Sequence, residues 1–498
     1  MLTNLDFLKI GSAWPPPGEI KRLDKYRRNK LIFEGEHEHV YKESFKRITR
    51  VIGNFEDVVS YAVICNFQKL ISLKVADFLL GELPRISCGD DESKEQIALD
   101  TIAENNDLIN TCYSSAIDIS RYGDGIFNIY KDEEGKGVID ITPPSFYFKV
   151  VDPKNLRKIK HHILAHTYKV PRKNTSFFGR NKEEYDHYLY VEIHSKGYYE
   201  KITFKLDDGE NYINSVHEKL EKVPTGLNDF AIVPIHNLLT SDRVYGIDDY
   251  SDLDSIISEI EVRLSQISKI LDKHAEPSVQ GPSSALYKNP NTGEWQLKMG
   301  NYFPRDTVED PPVEYITWEA QLEANFKIIE KLINILAVIS EMGSAIFDTE
   351  QKTGNAASGT ALRRMMISPL AKVKRTRMRF DTGIKKAIKL ASQLGGENII
   401  DLSKERINIF WKDGLPDDPK EEAEIMAIRT GNKSTLSQWS AIQRLDNLSD
   451  EDTQKELEAI LKDEKDNNPL SNMNFDYGKS MEVEEIQEDE VDEEVDVK

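Results

Sequence analysis

The sequence predicts an α+β protein built from several structural units. Three observations lead to this fold class. The 498 residues exceed what a single hydrophobic core usually holds. Helical patterns precede a run of short alternating strands between residues 126 and 206. Two later helices have heptad spacing of their apolar residues. Contents of 39% hydrophobic and 30% charged residues are typical of a soluble, folded chain.

The net charge is −21 and is unevenly distributed along the chain. Residues 481–498 contain ten carboxylates and one lysine, with few bulky residues to bury, so we expect a disordered tail. Such a tail either keeps the protein soluble or contacts a basic partner.

Three widely spaced cysteines, Cys65, Cys88 and Cys112, indicate a reducing compartment without a disulfide framework or zinc site. The longest apolar run, "IIEKLINILAVI", is too short to span a bilayer and contains Glu330 and Lys331. We therefore expect no membrane association.

The first third of the chain is predicted from its apolar period and its breakers. Residues 1–42 are rich in proline and arginine, and "WPPPGE" indicates an extended arm. One long helix is predicted over residues 42–80, ending at Gly81 and Pro84, and a second over residues 93–120.

Six short strands follow the second helix. They read "IFNIYKD", "GVIDITP", "FYFKVVDP", "HHILAHTYKV", "YLYVEIHS" and "GYYEKITFKL". A hairpin excursion is expected at residues 171–187. Helices and strands together predict an α+β unit that extends to about residue 249.

Two heptad helices are predicted over residues 250–273 and 318–340, on either side of a segment rich in Pro, Gly and Asn that contains short strands such as "EWQLKMG". We expect an antiparallel helical hairpin with this segment at its tip. Its apolar residues step by three and four: Leu253, Ile257, Ile260, Leu264, Ile267 and Leu271, then Leu322, Phe326, Ile329, Ile333 and Leu336.

A loop of small and polar residues, 341–358, comes next and leads into a basic helix over residues 362–394. The net charge from residue 360 to 390 is +9, and a helical wheel separates a basic face from an apolar one. Pro369 lies within the pattern and predicts a kink. Because like charges four residues apart repel, we expect phosphates or acidic faces of neighbouring subunits to neutralise this face. Its basic residues include Arg363, Arg364, Lys372, Lys374, Arg375, Arg379, Lys385 and Lys386.

The end of the chain is predicted to contain the strand "RINIFW" and three short helices. Chemical motifs are lacking. No G-x-x-x-x-G-K-[ST] or H-E-x-x-H pattern occurs, and the histidine clusters "HEH" and "HHILAH" have no carboxylate or cysteine at ligand spacing. The sequence therefore predicts no catalytic residues, no metal site and no cofactor.

Several stretches, taken in their order, resemble a known family. They are "NFQKLISLKVADFLLGELPRIS", "SSAIDISRYGDGIFNIYKDEEGKGVIDITPPSFYFKVVDP", "SGTALRRMMISPLAKVKRTRMRF" and "FWKDGLPDDPKEEAEI". The chain resembles the portal proteins of tailed double-stranded-DNA bacteriophages, of the type found in long-tailed phages of Gram-positive hosts. The segment "SDRVYGIDDYSDLDS" and the excursion at residues 171–187 depart from the family pattern.

The resemblance implies a portal fold assembled as a ring of about twelve subunits with heterologous interfaces. It implies, in order, an N-terminal arm (1–42), an α+β wing (43–249), a stem helix (250–273), a clip (274–317), a second stem helix (318–340), a tunnel loop (341–358), a long kinked helix returning to the wing (359–406), a helical crown (407–465) and an acidic disordered tail (466–498). The tunnel loop would present Glu341, Met342, Gly343, Ser344, Phe347, Lys352, Gly354, Asn355 and Ser358.

The implied function is a non-enzymatic channel at one capsid vertex, through which DNA is packaged and later ejected. The implied partners are double-stranded DNA, terminase, a head-completion or adaptor protein, and the major capsid and scaffolding proteins. The protein would nucleate procapsid assembly in the host cytoplasm and remain in the virion. Two other readings stay open at this stage: a metal-dependent hydrolase or nuclease with a helical hairpin insertion, and a monomeric helical scaffold.

Overall fold

The computed structural model divides the chain into two compact units, Met1–Leu415 and Pro416–Lys498. The structure describes residues 1–48, 51–52, 55–56, 62–82, 84–90, 92–172, 185–275, 279–280, 286–290, 293–297, 314–315, 322–347, 364–396, 399–412, 419–431, 434–446, 448 and 450–466.

The N-terminal segment is folded onto the first unit, which corrects the expectation of an extended arm. It contains a short 3₁₀ turn and the helices α1 (Ile20–Glu34), α2 (His37–Val40) and α3 (Lys42–Phe45). The Trp14 side chain is buried, and its ring centroid lies 5.2 Å from that of Phe148. The segment packs there because its apolar side chains cover one face of the five-stranded sheet. These side chains follow neither a helical nor a strand period, so the sequence pattern did not predict the contact.

The prediction of one long helix over residues 42–80 is wrong for the first half of that range. The structure places a short strand pair there, β1 (Val51–Ile52) with β2 (Phe55–Glu56), and helix α4 begins only at Phe67. β-branched residues around Gly53 favour strand over helix. The Asn66 side chain caps α4 by accepting a hydrogen bond from the Lys69 amide at 3.0 Å.

The second predicted helix is two helices, α5 (Lys94–Asn105) and α6 (Leu108–Tyr122). The break falls at Asp107, whose φ of +42° cannot continue a helix. The predicted alternating strands are present in two antiparallel sheets. A three-stranded sheet has the order β11-β4-β5, and a five-stranded sheet has the order β10-β9-β8-β7-β6.

The strand bounds are β3 (Arg85–Ser87), β4 (Asp124–Lys131), β5 (Gly137–Thr142), β6 (Tyr147–Asp152), β7 (Asn155–Pro171), β8 (Tyr185–Ser195), β9 (Tyr198–Leu206), β10 (Ile213–Pro224) and β11 (Ile232–His236). The strand β10, an exposed edge strand, was not among the predicted strands. Most of the predicted excursion at residues 171–187 lies outside the described residues.

The heptad helices are α7 (Asp254–Ala275) and α8 (Leu322–Ile339), and they pack against each other. Between them the described residues form two strand pairs: β12 (Val279–Gln280) with β15 (Glu314–Tyr315), and β13 (Leu286–Lys288) with β14 (Trp295–Leu297). A helical hairpin with strands in its connection is therefore present, as the heptad spacing predicted.

Helix α9 (Ile367–Leu394) crosses the three-stranded sheet and carries much of the main core. Its predicted apolar face is buried from Val373 to Leu394. Gly383 permits the close approach to β11, because a Cβ atom there would lie 2.4 Å from Ile235 Cδ1.

The kink predicted at Pro369 stays a prediction: Arg364 and Met365 are helical, and a turn at Met366 separates them from α9. The helix begins at Ile367 with Met366 as its cap, so Pro369 lies in the first turn. There its lack of an N–H removes no intrahelical hydrogen bond.

The strand β16 (Asn408–Phe410) pairs with β3 and belongs to the first unit. The start of the second unit, Pro416, lies within the predicted crown, 407–465. The second unit contains the three predicted helices, α10 (Pro419–Thr430), α11 (Gln438–Asp446) and α12 (Asp450–Asp466). The Ser437 side chain caps α11 by accepting a hydrogen bond from the Ser440 amide at 3.1 Å. The acidic tail, residues 467–498, lies outside the described residues.

Candidate functional site

The candidate site is a junction where the end of α8, the start of α9 and the connection after β11 meet. They enclose a cavity of about 490 Å³. Its lining includes Asn237, Asp248, Asp249, Asp252, Ser340, Glu341, Lys372, Arg375, Thr376 and Arg379.

The chain turns sharply at the end of α8. Glu341 and Gly343 both adopt positive φ, of +61° and +71°, and the Gly343 amide donates to the Ala337 carbonyl at 3.1 Å. Met342 is completely buried and packs with the apolar residues of α4 and α7. The first residues of the predicted tunnel loop are therefore packed against the rest of the first unit.

The loop stays packed as far as the structure describes it. Ser344 begins a 3₁₀ turn, and the ring of Phe347 contacts that of Phe67 edge-on, with 5.7 Å between centroids. The other predicted tunnel-loop residues, Lys352, Gly354, Asn355 and Ser358, lie outside the described residues, as does Arg363.

Lys372 is the centre of the junction. Its side chain is only 8% exposed, and its Nζ donates to the Ser340 carbonyl and to Asp249 Oδ1, each at 3.0 Å. The ammonium group therefore binds both a carbonyl at the negative end of α8 and a buried carboxylate. This arrangement attaches the end of α8 to α9.

Asp249 extends the network to helices α4 and α6. Asn237 Nδ2 donates to its Oδ1 at 2.9 Å, and the Ser120 hydroxyl donates to its Oδ2 at 2.7 Å. Ser72 of α4 in turn bonds Ser120 at 3.0 Å. Side chains from α4, α6 and α9 thus share one buried polar network.

Most of the other predicted basic residues are neutralised within the chain. Arg375 forms an ion pair with Glu341, and Arg379 donates to the carbonyls of His236 and Asn237. Lys385 pairs with Asp381 and Lys386 with Asp229, each at 2.7 Å.

Within the described part of the chain, Arg364 and Lys374 are exposed and have no ion pair. Carboxylates of the same chain therefore neutralise part of the basic face, and the expectation that phosphates or neighbouring subunits neutralise it stays a prediction. Glu341 and Asp229 lie outside this helix, so the helical wheel could not reveal them, whereas Asp381 lies four residues before Lys385 on the same helix.

A second buried cluster, which the sequence reasoning missed, adjoins the junction through His236. Asp124 is fully buried and accepts hydrogen bonds from His236 and, at 2.7 Å, from the Tyr26 hydroxyl. Lys149 Nζ lies 3.1 Å from His236 Nε2 and 3.0 Å from the Val244 carbonyl. Since the ammonium can only donate, Nε2 accepts and Nδ1–H donates to Asp124.

Burial sets the protonation of this cluster. It lowers the pKa of Lys149 to about 8 and lowers the pKa of His236. Burial alone would raise the pKa of Asp124, but the hydrogen bonds from His236 and Tyr26 outweigh it and hold that pKa below its usual value. Gly246 permits this packing, because a Cβ atom there would lie 1.9 Å from the Gly123 carbonyl oxygen.

The histidine clusters of the sequence are structural in the residues described. His37 is fully buried, with its Nδ1 2.7 Å from Glu261 of α7. His162 is buried against Tyr147, whose hydroxyl lies 2.7 Å from its Nδ1. No group of three histidine, cysteine, aspartate or glutamate side chains in the described ranges is placed to hold a metal ion.

The heptad residues divide into a core and two exceptions. Leu253, Ile257, Ile260, Ile267, Ile329 and Leu336 are buried, and Leu264, Leu322 and Ile333 pack against them. Leu271 and Phe326 instead are about half exposed, at 50% and 53%. Both lie toward the strand-bearing connection, far from the α4 contact that closes the core at the other end.

Helix α8 also has a second apolar face that the heptad spacing did not predict. Ile328, Ile335 and Ile339 are exposed and lie along one line, at spacings of seven and four residues. Val338, beside them, is 76% exposed. Contiguous apolar surface of this kind indicates a protein contact.

Comparison with known proteins places this architecture in a family. The family model described as phage portal protein, SPP1 Gp6-like, matches residues 16–470. This chain belongs to that family and is a tailed-phage portal protein. A search of curated proteins found no match.

Membership carries several coarse conclusions. The family is structural and non-enzymatic, and its members act in DNA packaging and in the head–tail connector. It implies an oligomeric ring within the virion capsid. Among the helices of the described residues, none combines the length and apolarity needed to cross a bilayer.

Proposed function

We propose that this chain assembles as a ring of about twelve subunits around a channel for double-stranded DNA. The observation that carries the proposal is the second apolar face of α8 in a chain of the portal family. Ile329 and Leu336 of α8 face its own core, so Ile328, Ile335 and Ile339 remain for a neighbouring copy.

The energetics favour covering that face. Burial of one isoleucine side chain is worth about 1.5–3 kcal/mol, so three of them supply a substantial part of a subunit contact. Because a ring uses heterologous contacts, the face would pack against a different surface of the next subunit. The stem helices α7 and α8 would then surround the channel, and DNA would pass inside them during packaging and ejection.

The junction at Lys372 would couple the stem to the wing in this ring. One hydrogen bond joins Lys372 of α9 to the Ser340 carbonyl at the end of α8, and the other joins it to Asp249. A force on the stem would therefore reach the main core through α9. The tunnel loop would then comprise the residues after Phe347, since Glu341–Phe347 pack on the body.

The internal pairing of the basic helix also fits a channel that lets DNA slide. Each phosphate contact adds to binding and to its salt dependence, so a channel that gripped many phosphates would hold DNA in place. Lys372, Arg375, Lys385 and Lys386 are instead satisfied by carboxylates of the same chain. In this proposal, the helix is a structural brace more than a DNA-binding surface.

The partners follow from the ring. Residues 274–317, at the tip of the stem hairpin, would form the clip that docks terminase and then the head-completion or adaptor protein. The wing and crown would contact the major capsid and scaffolding proteins, and the ring would nucleate procapsid assembly in the host cytoplasm before becoming part of the virion.

The α8 face offers a direct test. The double change Ile328→Glu with Ile335→Glu places two carboxylates on the proposed contact, away from the junction cavity that Ile339 lines, and is expected to abolish rings. The matched control is Asn334→Glu, which adds a carboxylate at an exposed polar position of the same helix. Mass by light scattering, ring counts in negative-stain images and circular dichroism are measured for all three proteins.

The proposal expects folded single subunits from the double variant and rings from the control. Normal rings from the double variant would show that this face is not a subunit contact.

A further inference from the structure

The five-stranded sheet carries a row of aromatic side chains opposite the face that the N-terminal segment covers. Ile163 of β7 and Leu189 of β8 belong to the core under that segment. Because side chains alternate along a strand, their neighbours in β7 and β8 lie on the other face. There the ring of Phe146, which precedes β6, stacks on that of His166 with 4.9 Å between centroids. We call this row the aromatic ladder, defined by Phe146, His166, Tyr168, Tyr188, Tyr190 and His217.

The ladder crosses the sheet without a break. The His166 ring lies 5.4 Å from that of Tyr190 and 6.5 Å from that of Tyr168. Tyr168 stacks on Tyr188 at 5.4 Å, and His217 of β10 follows at 4.9 Å from Tyr188. Each side chain is positioned by its neighbours, so a partner that contacts them would cost little side-chain entropy.

The ladder is partly open to solvent and has free donors. Tyr168 is 39% exposed, and Val170, beside it on the same face of β7, is 42% exposed. In the part of the chain that the structure describes, the hydroxyls of Tyr168 and Tyr188 have no hydrogen-bond partner. The surface therefore combines apolar ring area with two phenol groups that can donate.

The charged side chains of β8 and β9 on this face neutralise one another. Glu192 pairs with Lys201 at 3.0 Å, and Asp186 pairs with Lys205 at 2.9 Å. Partial burial lowers the pKa of His166, so its ring is mostly uncharged at neutral pH. A polyanion such as DNA needs unpaired cations, so the ladder fits an uncharged partner better.

We propose that the aromatic ladder binds a proline-rich segment of another protein. Such segments adopt an extended left-handed helix and dock on exposed aromatic side chains. Proline has no N–H group, so the segment would present carbonyl acceptors to the Tyr168 and Tyr188 hydroxyls and bury no unpaired donor. The helix advances about 9 Å in three residues, close to the path from Tyr168 through Tyr188 to His217. The inference does not depend on assembly of the subunit ring.

The test uses the full-length protein and a fluorescently labelled nonaproline peptide, whose binding is followed by anisotropy. Tyr168→Ala with Tyr188→Ala removes two aromatic side chains, and Tyr168→Phe with Tyr188→Phe keeps the aromatic groups but removes the hydroxyls. The matched control, Tyr198→Ala with Tyr212→Ala, removes two tyrosines that are 50% and 53% exposed and lie outside the ladder. Urea unfolding of each protein shows whether a variant has lost the sheet.

Saturable peptide binding that falls at least tenfold in the alanine variant and several-fold in the phenylalanine variant, with the control unchanged, supports the proposal. No binding by the parent, or equal binding by the parent and both ladder variants, would overturn it and leave the ladder a role in sheet stability alone. If the alanine variant has lost the sheet, the phenylalanine variant decides, and unchanged binding there would overturn the proposal.

A short oligothymidylate is the second probe. If this single strand binds the parent and not the alanine variant, while nonaproline binds neither, the ladder stacks bases and the proposal is overturned.

Discussion

Lys372 shows how one side chain can decide the geometry of the junction. Its ammonium group holds the last carbonyl of α8 and the Asp249 carboxylate in a site with little solvent. An ion pair of this kind adds little net stability when intact, because desolvation offsets the attraction. Removing one partner is costly, because the other charge stays buried.

We expect Lys372→Met to lower the free energy of unfolding of the first unit by about 3–5 kcal/mol, since Asp249 is left unpaired. Lys374→Met is the matched control on the same helix, and because Lys374 is exposed it should change stability by less than about 0.5 kcal/mol. Thermal and urea unfolding measure both. Equal midpoints for the two variants would show that Lys372 is not a structural cation.

The lowered pKa of Lys149 leads us to expect that the stability of the folded chain depends on pH. Its pKa is lowered to about 8 in the folded chain, below the usual value of about 10.4 for an unfolded chain. Between these values the unfolded state binds more protons, so the contribution of Lys149 to stability rises with pH above about 8. Below pH 8 the group is protonated in both states and adds no slope.

The measurement is urea unfolding of the parent and of Lys149→Met at pH 7, 8 and 9. The parent should gain stability relative to the variant between pH 8 and 9, by up to about 1 kcal/mol. A constant difference across this range would mean that Lys149 titrates normally in the folded protein.

At the scale of elements, the sequence predicted what depends on local period. The apolar face of α9 and the two heptad helices were predictable because helical periods show directly in the order of residues. The pairing of Lys372 with Asp249 was not predictable, because 123 positions separate them and no local pattern links them.

The prediction of an extended N-terminal arm was wrong for a related reason. Leu2, Leu8 and Trp14 are buried because they pack on a sheet formed by distant residues. Their own spacing in the sequence follows no helical or strand period. The sequence therefore predicted the region of the candidate site, which is the loop and the basic helix. It did not predict that carboxylates elsewhere in the same chain pair with the basic residues, because only the folded structure brings them together.

The position of Pro369 changes what its substitution should do. Its ring packs against the Gly343 turn, and Ser368 beside it donates to the Glu341 carbonyl at 3.1 Å. Pro369→Ala should therefore loosen residues 341–347 without bending or straightening α9. We expect faster hydrogen exchange in residues 341–347, unchanged exchange from Thr376 to Leu390, and intact rings.

Lys374→Ala serves as the control for that exchange experiment, because the side chain is exposed on the same helix. Faster exchange along the whole of α9 in Pro369→Ala would show that the proline stabilises the helix itself. No change anywhere would show that the turn holds without it.

At the scale of the whole molecule, the first unit combines several buried apolar clusters with an exposed apolar face on α8. The main core under α9, the core beneath the five-stranded sheet and the core of the stem are complete within one chain. The outer face of α8 is not, and it is the feature that a neighbouring subunit would cover. We therefore expect an assembly in which a neighbouring subunit covers this face of α8.

The measurement that tests this account most directly is the mass of the purified full-length protein by light scattering, taken together with negative-stain images of the same sample. The account predicts a mass of about twelve chains and ring-shaped particles with a central hole. A mass of one chain, or compact particles without a hole, at concentrations where the protein is folded would contradict it.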